Sequence, residues 1–246
     1  MAAHAPATAD HPEVPLLVRD LEFGWGRDPV LLRIPELRLA AGERVFLHGP
    51  SGSGKSTLLN LVAGTLAPRS GSIRIGDVEA TALPARRRDR LRAERMGFVF
   101  QQFNLLPFLS VRDNVLLGCR FSKRRRARAI AHDGSLEAAA HRLLEALGLA
   151  DGPIFNRPAA ELSVGQQQRV AAARALIGEP DLVIADEPTS ALDADARHGF
   201  LQLVGEECAR SGAALLFVSH DRALEADFDR ALDLRTLNHA APEARA

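Results

Sequence analysis

The stretch Arg44-Val45-Phe46-Leu47-His48-Gly49-Pro50-Ser51-Gly52-Ser53-Gly54-Lys55-Ser56-Thr57 governs how the rest of the chain is read. Arg44 to His48 form a short, mostly apolar run, the pattern of a buried strand. From Ser56 to Ala63 the apolar side chains fall at helical spacing. Between strand and helix lie Gly49, Gly52 and Gly54, then a lysine and a hydroxyl. Glycines let backbone N–H groups turn inward against anionic oxygens, and the helix N-terminus adds partial positive charge. Lys55 can neutralise terminal phosphates, and Ser56 can offer its hydroxyl to Mg²⁺. Strand, glycine turn, lysine, hydroxyl and helix in this order predict a phosphate cradle rather than an ordinary turn.

Further strands are predicted on both sides of this point. Leu16–Phe23 and Leu37–Leu39 precede it, and Ser72–Ile75 and Gly97–Phe100 follow. Leu182–Ala185 and Ala214–Val218 read as buried strands separated by a helix around Ala194 to Arg210. Strands alternating with helices predict an α/β core with a mainly parallel sheet. From about Asn104 to Ile177 the pattern turns helical, with Leu136, Ala140, Leu143, Leu144 and Leu147 on one apolar face before Gly148. This helical segment (about 104–177) reads as an insertion into the sheet. One domain, 16–237, is expected between two mobile tails, 1–15 and 238–246.

Composition narrows the classes. Of 246 residues, 46% are apolar and 25% charged, with zero formal net charge. A duplex-binding protein would show a basic excess, so a nucleic-acid partner is not favoured. No apolar run is long enough to span a bilayer. Met1–Pro15 lacks the basic and apolar regions of a signal peptide. Two scattered cysteines, Cys119 and Cys208, form neither a disulfide framework nor a metal pattern. A cytoplasmic location is expected.

The strand Leu182-Val183-Ile184-Ala185 ends in two carboxylates, Asp186 and Glu187. Behind a phosphate cradle, Asp186 can hold Mg²⁺ through its water shell. Glu187 can orient or deprotonate a water attacking the terminal phosphate.

Leu162-Ser163-Val164-Gly165-Gln166-Gln167-Gln168-Arg169-Val170, shortly before that strand, resembles the signature motif of ABC ATPases. The resemblance spans roughly Leu16 to Leu234. It implies a P-loop NTPase core with an N-terminal antiparallel β subdomain and an inserted α-helical subdomain. It also implies that Gly49 to Thr57 (Pro50, Ser51, Ser53 and Gly54 included) bind ATP. Ser163, Gly165 and Gln166 would meet the nucleotide of a second subunit, in an ATP-dependent homodimer or a dimer with a related ATPase. Gln101 matches the glutamine that senses Mg²⁺ and the attacking water. Ser190-Ala191-Leu192-Asp193 matches the loop that crosses the dimer, and His220 the histidine at the γ-phosphate. Trp25 holds the place of the aromatic that stacks on adenine, with Phe23 a neighbouring candidate.

The run Gly97-Phe98-Val99-Phe100-Gln101-Gln102-Phe103-Asn104-Leu105-Leu106-Pro107 is similar to the branch of lipoprotein-releasing, macrolide-export and cell-division ATPases. That implies a transmembrane permease as partner, a place on the cytoplasmic face of the membrane, and ATP hydrolysis coupled to export or extraction. The alternative within the family is a non-transport ATPase that drives a mechanical membrane process such as cell division. A GTPase would carry an Asn-Lys-x-Asp guanine reader, and none is found. Two features depart from the pattern. Val164 stands where the signature has glycine, and strains the motif only if that position needs a left-handed backbone. Basic stretches at 86–92 and 123–128 read as solvated helix faces, or, more sharply, as contacts for anionic lipid or an acidic permease loop.

Overall fold

A computed structural model of the chain describes residues 12–149, 152–190 and 192–240. The outer parts of both expected tails, and Ala191, lie outside the described residues. Near the ends, the Glu13 carbonyl accepts from the Ala41 N–H, and the His239 N–H donates to the Arg33 carbonyl.

Two sheets carry the molecule. The first joins β1 (Leu16–Phe23), β2 (Leu32–Leu39), β4 (Ser70–Ile75) and β5 (Val78–Glu79) in the order β2-β1-β4-β5, all antiparallel. Alternation sets its inward face: Leu32, Ile34, Leu37 and Leu39 are buried while Arg33, Glu36 and Arg38 face out. Pro35 sits on β2, an edge strand, where its missing N–H breaks no ladder.

The second sheet is parallel throughout. It comprises β3 (Arg44–His48), β6 (Met96–Val99), β7 (Leu182–Asp186), β8 (Ala214–Val218) and β9 (Arg230–Asp233), in the order β6-β7-β8-β3-β9. Covered on both faces, its central strands are near-continuous apolar runs. The register fixes the site. Val99 lies opposite Ala185, Asp186 opposite Val218, Leu47 opposite Val218, and His48 opposite Asp233. All five strands therefore end at one edge, the edge where open α/β sheets bind ligands.

Helices α1 (Lys55–Val62), α2 (Ala85–Arg95) and α7 (Ala194–Ser211) connect the strands. Between β6 and β7 lie α3 (Val111–Arg120), α4 (Lys123–Asp133), α5 (Leu136–Ala146) and α6 (Val164–Leu176), the inserted helical segment. Ser110, Ser122 and Ser135 cap α3, α4 and α5 by accepting from the N–H three residues on. Three short elements were not legible: β5, β9, and a final turn α8 (Leu234–Leu237). Among the described residues no helix is long and apolar enough to cross a membrane.

The basic stretch 123–128 is mostly not a solvated face. Arg125 is buried, and its guanidinium donates to the carbonyls of Met96 (3.1 Å), Ala175 (2.7 Å) and Ile177 (2.9 Å from Nε). It thus ties α4 to the electronegative C-terminus of α6. Burial pushes its pKa down to about 10. Arg124 and Arg128 turn to the fully buried carboxylate of Asp181, which Arg95 also pairs. Only Lys123, Arg126 and Ala127 of the stretch are exposed. In 86–92, Arg88 and Arg92 donate to Gly64 and Ala63 carbonyls at the end of α1, whereas Arg86, Arg87 and Arg90 stay exposed.

Candidate functional site

The loop after β3 has the backbone a cradle needs. Gly52 (φ 77°) and Gly54 (φ 99°) take left-handed conformations that L side chains resist. A Cβ on Gly54 would come within 2.8 Å of Leu32 Cδ2, so the loop also lies directly on the first sheet. Gly54 caps α1 without a side-chain acceptor, which leaves the first-turn N–H groups to an anion. Lys55 arches over the loop and its Nζ donates to the carbonyls of Gly49 (2.6 Å) and Pro50 (3.1 Å). Ser53 Oγ is buried there without a hydrogen-bond partner.

A cleft of about 590 Å³ opens over this loop. One wall is Pro50–Ser53, a second is Trp25 with Asp28–Leu31, and a third is Leu234, Arg235, Asn238 and Ala240. Trp25 is 52% exposed, while Phe23 is buried beneath it, edge-on at 5.0 Å. The available aromatic face is therefore Trp25 and not Phe23. Its loop is held by Arg69, whose Nη2 donates to the carbonyls of Gly26 (3.0 Å) and Asp28 (2.6 Å). No sequence signal pointed to Arg69.

At the end of β7, Asp186 and Ser56 line one cavity of about 160 Å³. Burial holds the Asp186 carboxyl above the usual range, the Glu187 charge adds to this, and Lys55 opposes it. Among the described residues no three His, Cys, Asp or Glu side chains cluster as a metal cage. Mg²⁺ needs none: one carboxylate, a hydroxyl, waters and phosphate oxygens make its usual shell, and Ser56 with Asp186 fits that set.

Glu187 has φ 46°, a left-handed backbone that costs a non-glycine residue energy. Its N–H donates to the Val218 carbonyl (2.9 Å), which helps fix that conformation. Ser219 donates to Glu187 Oε2 (3.2 Å), and His220 Nδ1 is 2.9 Å from both carboxylate oxygens. Glu187, Ser219 and His220 border a cavity of about 420 Å³. Gln101 is exposed on the turn after β6. Because Val99 pairs with Ala185, Gln101 and Glu187 leave adjacent strands at the same level.

Ser163, Gly165 and Gln166 stand elsewhere. Ser163 caps α6 through a closed capping box: its Oγ accepts from the Gln166 N–H (3.3 Å), and Gln166 Oε1 accepts from the Ser163 N–H (2.9 Å). The Gln166 side chain is thus engaged within its own helix. Val164 is the first residue of α6 and is absent from the residues with positive φ, so its backbone is ordinary and its β-branch unstrained. A Cβ on Gly165 would meet nothing within 4 Å. None of the three cavities above includes Ser163 or Gly165. Asp193 caps α7, accepting from the Ala196 N–H (2.8 Å).

A glycine cradle after a central strand, with paired carboxylates at the end of its neighbour but one, defines a P-loop nucleoside-triphosphatase. The chain belongs to the ABC transporter family, whose sequence model matches residues 32–190. It is 40% identical to the lipoprotein-releasing system ATP-binding protein LolD of Pseudomonas fluorescens, over 89% of this chain and 94% of that one. It is 41% identical to a macrolide export ATP-binding/permease protein of Aeromonas hydrophila over 87% of this chain, but spans only 32% of that protein. Among solved structures, a dimeric post-hydrolysis state of an ATP-binding cassette bound to ADP and Pi superposes with TM-score 0.73 at 30% identity. That match covers 89% of this chain and 93% of the other. The expected fold is borne out, with an antiparallel N-terminal sheet, a parallel core and a helical segment, and so is the expected activity: the chain is an ABC ATPase.

Proposed function

We propose that the chain is the motor subunit that powers export or extraction of a substrate through a partner permease, acting as an ATP-bound dimer. The names of its lipoprotein-releasing and macrolide-export relatives support the direction.

One observation carries the dimer. The N-terminus of α6 is a prepared anion site, with exposed Ser163 and an open face at Gly165, yet it borders none of the chain's own nucleotide cavities. A phosphate on another copy's P-loop would give this open helix start its ligand. Dimeric solved relatives support this arrangement.

In this reading Trp25 stacks on the adenine and Gly49–Thr57 hold the phosphates. Ser56, Asp186 and Gln101 would hold Mg²⁺, which supplies charge neutralisation at the terminal phosphates. Glu187 takes a proton from, or orients, the attacking water, and His220 and Ser219 keep its carboxylate aimed. Asp193 lies where the dimer crosses. Loss of the phosphate that bridges the two copies lets them part.

In this reading the permease docks at a groove of about 680 Å³, which lies between α2 and α3. It is lined by Phe98, Leu117 and the exposed Phe121, and by Arg90 and Arg174. Phe100 on the same groove precedes Gln101, so a change at the phosphates reaches the groove through one turn. In this reading the subunit works on the cytoplasmic face of the membrane.

The test is the solution mass of Glu187→Gln with and without MgATP. A monomer-to-dimer shift is the expected result, and Val164→Gly in the same background should leave it unchanged, because Val164 is unstrained. A protein that binds ATP and stays monomeric with either residue at 164 would refute a self-sufficient dimer.

A further inference from the structure

We propose that Arg235 is a nucleotide-binding residue that contacts the base and ribose of the nucleotide whose phosphates rest on Gly49–Thr57. The inference rests on the reading of the Trp25 cleft as the nucleotide site and adds to it a third wall.

That wall comes from β9. His48 pairs with Asp233, so the chain after Asp233 leaves the sheet level with the start of the phosphate loop. A Cβ on Gly49 would be 3.4 Å from Leu234 Cβ, which puts wall and loop in contact. The wall is fastened across the cleft by Asn238, whose Oδ1 accepts from the Arg33 N–H (2.8 Å) and whose Nδ2 donates to the Leu31 carbonyl (2.9 Å). Arg235 and Trp25 thus border one cleft from different walls, with Pro50–Ser53 on a third.

Arg235 is held ready there. Its Nε and Nη2 donate to Asp233, the latter at 2.6 Å to Oδ2, and the Arg235 N–H donates to Oδ1 at 2.9 Å. Among the described residues Nη1 makes no hydrogen bond, so its donors remain for a ligand. The Asp233 carboxyl is pulled down to about 2, chiefly by this guanidinium, so the pair is charged at neutral pH. The side chain is 66% exposed, and among the described residues its hydrogen bonds all go to Asp233. A guanidinium is donor-only, and it matches ring nitrogens and ribose oxygens, which accept. It also suits the open face of a base whose other face lies on an aromatic ring.

The test is equilibrium binding of ADP and of inorganic tripolyphosphate, which lacks base and ribose, to the full chain. Arg235→Ala should weaken ADP about tenfold, the scale of a charged hydrogen bond, and leave tripolyphosphate unchanged. Arg235→Lys should recover part of the loss, and Asp233→Asn should show part of it with Arg235 intact. Unchanged ADP affinity in Arg235→Ala, or an equal loss for both ligands, would overturn the proposal while leaving the cleft as the nucleotide site. Lys55→Ala separates the two readings: if it leaves ADP and tripolyphosphate binding intact, the cleft is not the site, and the Arg235 contact falls with it.

Discussion

The imidazole Nδ1 of His220 lies 2.9 Å from both carboxylate oxygens of Glu187. The two residues come from the ends of neighbouring strands, and Ser219 adds a third hold on the carboxylate. A base aimed this way loses most of its effect when it cannot accept a proton. Glu187→Gln should therefore bind ATP normally and release phosphate at least about a hundredfold more slowly. His220→Ala should fall between that variant and wild type, since Ser219 still orients the carboxylate. Near-normal phosphate release by Glu187→Gln would remove Glu187 from the mechanism.

The chain has a single tryptophan, so its intrinsic fluorescence reports on Trp25 alone. Nucleotide should shift that emission. Trp25→Ala should weaken ATP binding by about 1–3 kcal/mol, the worth of a base stacked on an aromatic ring, with Trp25→Phe closer to wild type. Arg69→Ala should weaken it less, by loosening the loop that carries Trp25 without removing a nucleotide contact. Equal affinities across all three variants would show that the base sits elsewhere.

Asp186 is a carboxylate that the fold makes less acidic. Its folded pKa lies above the unfolded value, so the native state binds the proton more tightly and loses stability as pH rises past about 4. Asp186→Asn should therefore raise the thermal midpoint of the nucleotide-free protein at pH 7, while abolishing Mg²⁺-dependent turnover. The gain should vanish near pH 3, where the carboxyl is protonated in both states. A midpoint at pH 7 no higher than wild type would contradict this account.

Arg125 offers a packing test. Arg125→Met keeps much of the side-chain volume but strands the carbonyls of Met96, Ala175 and Ile177. Loss of these bonds should cost about 3 kcal/mol or more in urea unfolding. Arg126→Gln, one residue away and exposed, should stay within about 0.5 kcal/mol of wild type. Similar unfolding curves for the two variants would mean that α4 is not fastened through Arg125.

That contrast marks where sequence reading stops. The phosphate loop and the paired carboxylates are local strings that their chemistry made legible, and the signature was legible through its resemblance to ABC ATPases. The central strands were legible because burial on both faces leaves a continuous apolar run. Arg230–Asp233 forms an edge strand with charged residues at both ends, and only its pairing with β3 reveals it. Arg124, Arg125 and Arg128 read as a solvated run because their partners, Asp181 and the end of α6, lie some fifty residues on in the sequence. Arg69 was missed for the same reason. The choice between Trp25 and Phe23 needed burial, and the question at Val164 needed a backbone angle.

A Cβ at Gly165 would meet nothing within 4 Å, so the fold of a single molecule does not require glycine there. A library sorted only for folded protein should fill the position freely, and favour alanine there for its helix propensity. The same library sorted for growth under transport should keep glycine. Glycine kept only in the second sort would mark a requirement set between molecules, which a survey of thermal stability alone would score as noise.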